Sequence, residues 1–268
     1  MGWVASGPAR ASTCGFDSPV IAAAQSSRRL NPLGLLPAFL FFVSWVVELA
    51  TLGVIRGADL MIDSTFLRAW CTRDATRAAG WYDQARQGAE RFGFKVHTII
   101  GDPDLGIGRW SSLPLLFLGT PANGQASRAA IPWFWAVQVL YGFTIRMVRA
   151  DAAYWNYAFL GFLRHTLHAT FVIDYNLRRG GKKFLAELFF LRQWKHHLGK
   201  RSGIERFFAF AKRYYRLKYF QVGGAVKVTQ QVFAVYSAMW LVAQVAHLHQ
   251  HDELMLSPAR VLAHYVST

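Results

Sequence analysis

Acidic residues are scarce in this chain of 268 residues, where 15 Asp and Glu stand against 30 Lys and Arg for a formal net charge of +15. Such an imbalance sets up a field that attracts polyanions, so nucleic acid or an anionic membrane surface is the expected partner. Cysteine is scarcer still: only Cys14 and Cys71 occur, and neither has metal-ligand or redox spacing around it. That excludes a disulfide scaffold and a thiolate metal centre, and it fits a reducing, cytoplasmic setting, nucleoid-associated if the polyanion is nucleic acid. Near Met1 there is no basic start followed by an apolar run, so no secretory signal is read there. What is present is apolar material: 53% hydrophobic residues, 15% of the chain aromatic, enough for a substantial core. At about 100–200 residues per domain, one catalytic-sized domain with an extension is expected.

Residues 1–32, rich in Gly, Pro, Ser, Ala and Arg, read as a flexible or poorly defined leader. The stretch 33-LGLLPAFLFFVSWVVELATLGVI-55 is almost continuously apolar. A spanning helix needs about 20 such residues. Pro37 inside the run and Glu48 near its end disfavour a membrane span, and a buried helix over about 38–55, ending near Gly57, is the expectation. The division is thus 1–32 leader, 33–57 apolar helix, 58–250 core and 251–268 tail.

Within the core, strand-like runs appear at 59-DLMIDSTFL-67, 94-FKVHTII-100, 113-LPLLFLGT-120, 144-TIRMVRAD-151 and 169-ATFVIDYN-176. The first three have no helix between them and suit antiparallel pairing, although the loop at 68–93 is long. Helix-length segments at 126–142 and 153–168 precede the last two strands, as parallel crossovers require. Helices follow at 182–194, about 200–218 and 224–249. The fold class is therefore α/β, with a mixed five-stranded sheet, three antiparallel strands then two parallel, flanked by helices. An RNase H-like fold is one arrangement of that kind.

Three of the few acids lie where chemistry can be done. Asp63 is in the first strand, Asp151 at the carboxyl end of the fourth, where ligands collect in open α/β sheets, and Glu205 on a late helix. Three carboxylates from separate elements supply the hard oxygens that two magnesium ions need in phosphoryl transfer. Each acid alone has a plainer reading: a turn cap, a solvated strand end, an exposed helical acid. Around Glu205 the run 201-RSGIERFFAFAKRYYRLK-218 is otherwise basic and aromatic. At roughly 100° per residue, Arg201, Glu205 and Lys212 fall within an arc of about 40°, with Arg216 close by. Ile204, Phe207, Phe210, Ala211, Tyr214 and Leu217 gather opposite. The plainer alternative is a surface helix with i,i+4 ion pairs.

Six fragments in order carry a resemblance: 60-LMIDSTFLRA-69, 91-RFGFKVHTI-99, 113-LPLLFLGTPANGQAS-127, 149-RADAAY-154, 171-FVIDYNLRR-179 and 203-GIERFFAFAKRYYRLKYFQVGGAVKVTQQVF-233. Over roughly 45–250 the chain resembles the DDE transposases of bacterial insertion sequences, with a retroviral-integrase-like, RNase H-like catalytic core. The resemblance implies that Asp63, Asp151 and Glu205 are the catalytic, metal-binding acids, holding two Mg2+ or Mn2+ ions. It further implies cleavage and strand transfer at transposon ends, DNA as partner both as element end and as target, and a homodimer in the active complex. Arg201 and Lys212 match the arginine and lysine of the family's Tyr, Arg, Glu, Lys signature and would contact DNA, as would Arg213 and Arg216 beside them. Leu198 stands where the signature has tyrosine, and Trp155 and Asn156 follow Tyr154 where the family often has a small or acidic residue. Residues 1–32 do not look like the terminal-repeat-binding region of many relatives, which is compatible with a shortened or inactive copy.

Basic clusters at 178–183, 192–201 and 212–218 would track phosphates, with Trp194, Tyr214 and Tyr215 able to stack on bases. The run 247-HLHQH-251 reads as solvated helix-end histidines rather than a metal site, and no catalytic duty is inferred for Lys95 or His97. Two other functions share some of these features: another RNase H-like polynucleotidyl nuclease, and a non-enzymatic membrane or DNA-binding protein.

Overall fold

The computed structural model describes residues 34–55, 57–69, 80–84, 89–101, 112–124, 126–173, 202–218 and 222–266. Helix α1 (Leu36–Thr51) precedes β1 (Asp59–Arg68), β2 (Gly80–Gln84), β3 (Ala89–Gly101) and β4 (Pro114–Pro121). Then come α2 (Ala126–Tyr141), β5 (Met147–Ala150), a 3-10 turn (Ala152–Tyr154), α3 (Tyr157–His165) and β6 (Thr170–Ile173). Three helices complete the described order: α4 (Ser202–Tyr214), α5 (Ala225–Leu248) and α6 (Pro258–Val266).

Strand β1 is the axis of the sheet. It pairs antiparallel with β3 on one side and parallel with β5 on the other, and β6 extends the parallel half beside β5. Strand β3 also pairs antiparallel with β4 over Phe94–Ile100 and with β2 over Ala89–Gly93. The mixed sheet expected from the run pattern is present, with β2 as an additional sixth strand inside the stretch read as a long loop. The segment 80-GWYDQ-84 has no apolar alternation to announce it; a hairpin to the long β3 supplies its order.

Cross-strand pairs decide what each face meets. Thr98 and Phe117 are partners and share one face, where Phe117 contacts Phe233 and Tyr236 of α5 and Phe42 of α1, and the Thr98 hydroxyl lies 2.7 Å from that of Tyr236. Ring centroids 4.5–6.2 Å apart in tilted and edge-on geometry are the favoured aromatic packing. On the other face, Ile62, His97, Ile99, Leu116 and Leu118 meet Ala130 and Trp133 of α2, and Phe134 of α2 packs on Phe159 of α3. Helices on both faces give three layers.

Helix α1 buries Phe42, Val46 and Leu49 and exposes Leu36, Leu40, Phe41 and Val47, so it is a core helix with one bare side. It ends at Thr51, earlier than expected, because Gly53 takes a left-handed φ of 74° and lets Val54 N–H return to the Leu49 carbonyl at 3.0 Å. At 16 residues it is shorter than the roughly 20 a membrane span needs. Among the described residues, α5 alone is long and apolar enough to cross a membrane, and more than half of its most apolar stretch is buried. Trp240 of α5 donates its indole N–H to the Pro114 carbonyl at 2.9 Å inside that packing. The C-terminal stretch read as a tail includes α6, whose Val261 is buried.

Phe42→Ala should remove about 3–5 kcal/mol of stability by emptying the space between Phe117 and Phe233, whereas Leu40→Ser should change it by less than about 0.5 kcal/mol. Urea denaturation of both variants measures the difference; equal effects would mean α1 is not anchored by this face.

Candidate active site

The parallel pairing of β1 with β5 aligns Ile62 with Ala150 as the last registered pair. Asp63 and Asp151 are each one residue further on, so the two carboxylates leave the same side of neighbouring strands that are about 4.8 Å apart. Both are partly buried. Backbone N–H groups orient both: Ser64 N–H donates to Asp63 Oδ1 at 2.7 Å, and Ala153 N–H donates to Asp151 Oδ1 as that residue caps the 3-10 turn.

Tyr154 closes the turn and lies fully buried beside both acids. Its hydroxyl is 2.8 Å from His97 Nδ1 and hydrogen-bonds the Ser64 hydroxyl, and His97 Nε2 is 3.0 Å from Thr120 Oγ1 on β4. Burial, with the charges of Asp63 and Asp151 adding, pushes the phenol pKa well above its usual value, so it stays protonated. Burial, with the nearby Lys95 charge, lowers His97 to about 4, so its ring is neutral and has one donor and one acceptor nitrogen.

Two half-buried lysines flank the pair. Burial lowers the pKa of Lys95 while the charge of Asp151 opposes that shift. Lys212 on α4 is likewise lowered by burial and by Lys218, and Asp63 pulls the other way. The ammonium groups of β3 and α4 thus fall within electrostatic range of different acids of the pair.

Helix α4 packs against β1 and buries Ile204, Phe207, Phe208 and Ala211, close to the face expected, while Tyr214 is largely exposed under the Arg213 guanidinium, 5.3 Å from its ring centre. The helix stops at Tyr214, short of the expected 218. Buried Leu217 turns back, its N–H reaching the Ala211 carbonyl at 3.1 Å, and this places Arg216 in the left-handed region at φ 56°. Arg216 therefore leaves the helical arc assigned to it and is presented from the turn. Glu205 is exposed in the first turn of α4. Among the described residues no three His, Cys, Asp or Glu side chains are gathered to hold an ion, so the strand pairing brings together two of the three expected ligands. In the histidine run, His247 and His251 pair with Asp252 at 2.9 Å and Glu253 at 3.2 Å. Arg201, Leu198, Trp194, the helix expected at 182–194 and the basic clusters at 178–183 and 192–201 lie outside the described residues.

The sequence reading missed Tyr154, Ser64 and Thr120 as site residues and gave His97 no role. The signal available was alternation: Ser64 and His97 are opposed across β1 and β3, and the buried polar side chains there need partners.

An acid pair on adjacent parallel strands, Asp63 within β1 and Asp151 just past the end of β5, on a sheet of three antiparallel and two parallel strands with one added hairpin strand, is the RNase H-like arrangement. The family profile described as "Transposase DDE domain" matches residues 57–241. The chain belongs to that family. Among solved structures, a cryo-EM structure of a piggyBac transposase synaptic complex with hairpin DNA aligns with TM-score 0.32 and 14% identity, over 50% of this chain and 25% of that one. The chain thus spans a quarter of that structure's chain. No curated protein matches.

Because His97 is neutral in the fold, the unfolded chain takes up a proton below its ordinary pKa of about 6.5 that the folded chain refuses. The associated stability is complete above about pH 6.5 and falls as the pH drops toward 4, a loss of about 2 kcal/mol between pH 7 and pH 5. Urea denaturation at those two pH values should show the loss, and His97→Gln should shrink it; an unchanged slope in the variant would contradict the assignment.

Proposed function

We propose that this chain is a DNA transposase that cleaves phosphodiesters at the ends of an insertion sequence and joins the released 3′-hydroxyl to target DNA. The observation that carries the reading is the placement of Asp63 and Asp151, each one residue beyond the last registered pair of β1 and β5, in a chain of the DDE transposase family. The donor set fits a divalent cation: two adjacent carboxylates held by backbone N–H groups are hard oxygen ligands of the kind Mg2+ and Mn2+ take. Asp63 and Asp151 would hold the ions, with Glu205, exposed in the first turn of α4, as the third ligand that the resemblance implies. When bound, two such ions supply Lewis-acid activation of the attacking and leaving oxygens of the phosphodiester.

The chain's own residues do the rest by positioning and charge. Lys212 and Lys95, drawn toward Asp63 and Asp151, meet the phosphate that enters between them. Arg213, Arg216 and Lys218, all exposed at the end of α4, extend the cationic track along the DNA backbone. A homodimer would bring two ends together, and the cytoplasmic nucleoid is where the substrate lies.

On DNA carrying the element's inverted repeats, with Mg2+ or Mn2+, Asp63→Asn and Asp151→Asn should each abolish cleavage and strand transfer, and Glu205→Gln should do the same. Undiminished cleavage by any of the three would contradict the reading for that residue. Strand-transfer products separate a transposase from a nuclease sharing the acids. Arg216→Gly makes a second test, because glycine relieves a left-handed residue that costs arginine about 1 kcal/mol. Stability should hold or rise while DNA affinity falls and the slope of log affinity against log salt drops by about 0.9.

A further inference from the structure

We propose that Tyr154 is a positioning residue whose buried hydroxyl fixes the separation and orientation of the Asp63 and Asp151 carboxylates, and that His97 holds the hydroxyl in place. The inference rests on the reading of those acids as the ion-binding pair.

Tyr154 touches each acid's support separately. Its backbone N–H donates to the Asp151 carbonyl at 3.1 Å, so the phenol ring leaves the turn that Asp151 caps. At the other end, its hydroxyl meets the hydroxyl of Ser64, whose backbone N–H holds Asp63 Oδ1. The ring thereby spans from the end of β5 to β1 where these strands are no longer paired to each other. That region needs a spacer: the registered pairing stops at Ile62 and Ala150, and two adjacent carboxylates repel.

The third attachment makes the spacer rigid. His97 on β3 is 2.8 Å from the phenol oxygen and stands edge-on to the ring at 87°, and Thr120 on β4 takes up its other nitrogen at 3.0 Å. With Ser64 donating to the phenol oxygen, the phenol proton goes to Nδ1 and the Nε2–H goes to Thr120 Oγ1, which satisfies every group in the chain. Four elements, β4, β3, the turn and β1, are thus tied through one hydroxyl. A phenol suits this place because it stays neutral and does not compete with a cation for the carboxylates, as an arginine would. Packing alone would be met by phenylalanine, which leaves His97 and Ser64 without their shared partner.

Calorimetric titration of the full chain with Mn2+ reads the effect without requiring cleavage. Tyr154→Phe should weaken Mn2+ binding about 10-fold or more, the usual effect of losing a group that orients metal ligands. His97→Asn, whose amide reaches the position of Nδ1, should retain more of the affinity than His97→Gln, whose amide reaches the position of Nε2. A role in packing alone would not separate those two. In cleavage assays Tyr154→Phe should lower kcat and leave KM for DNA unchanged. Near-ultraviolet circular dichroism checks that each variant is folded, and if Tyr154→Phe is not, the His97 pair decides. Asp63-dependent Mn2+ binding that Tyr154→Phe leaves within about twofold of the native chain, or equal affinities for the two His97 variants, would overturn the inference alone. Unchanged Mn2+ affinity in Asp63→Asn would overturn the reading of the acid pair and the inference with it.

Discussion

The parallel pairing of Asp59–Ile62 with Met147–Ala150 is the constraint on which the site depends. A slip of one residue would send one of the two acids to the opposite face of the sheet. Burial opposes such a slip, since Leu60, Met61, Ile62, Val148 and Ala150 are all enclosed and would have to exchange faces. Arg149 opposes it too. Its side chain is 1% exposed, with the guanidinium 3.9 Å from the Asp59 carboxylate at the start of β1. Removing a partner from a buried charge costs about 3–5 kcal/mol, so the two ends of the short β1–β5 ladder carry different tasks. Asp59 and Arg149 fix the alignment, and Asp63 and Asp151 use it.

Charge is distributed around this pair with a purpose the composition alone conceals. A net charge of +15 attracts polyanions from a distance, but exposed cations are screened beyond about 8 Å at physiological salt. Lys95 and Lys212 differ from the exposed arginines in being half-buried, so their attraction to the acids and to phosphate is less screened. The acids in turn help keep those lysines charged against the effect of burial. An acid pair, two sheltered lysines and an exposed basic turn form a graded path from solvent to the site.

Much of this was legible in the residues. Five of the six strands and the helices at 126–141, 202–214 and 225–248 follow from apolar periodicity and crossover length, and Asp63 and Asp151 were placed on strands before their pairing was visible. What escaped was what depends on distant neighbours. The strand at 80–84 has no pattern of its own and is ordered by β3. The hydroxyl of Tyr154 finds His97, 57 positions earlier, and His97 finds Thr120, 23 positions later, and neither distance is written in local periodicity. The end of α4 was misplaced because the helical spacing of apolar residues runs on through Leu217 in the sequence, whereas in the fold Arg216 turns left-handed and buried Leu217 bends the chain back. Asn156, a departure from the family's usual sequence, has a local use: its side chain accepts the Ala158 N–H and starts α3.

The most direct measurement is anomalous diffraction from crystals of the chain with element-end DNA and Mn2+. The account predicts manganese peaks at the Asp63 and Asp151 carboxylates, with Glu205 as the third ligand once DNA is bound. Manganese bound elsewhere, with no peak between Asp63 and Asp151, would contradict it.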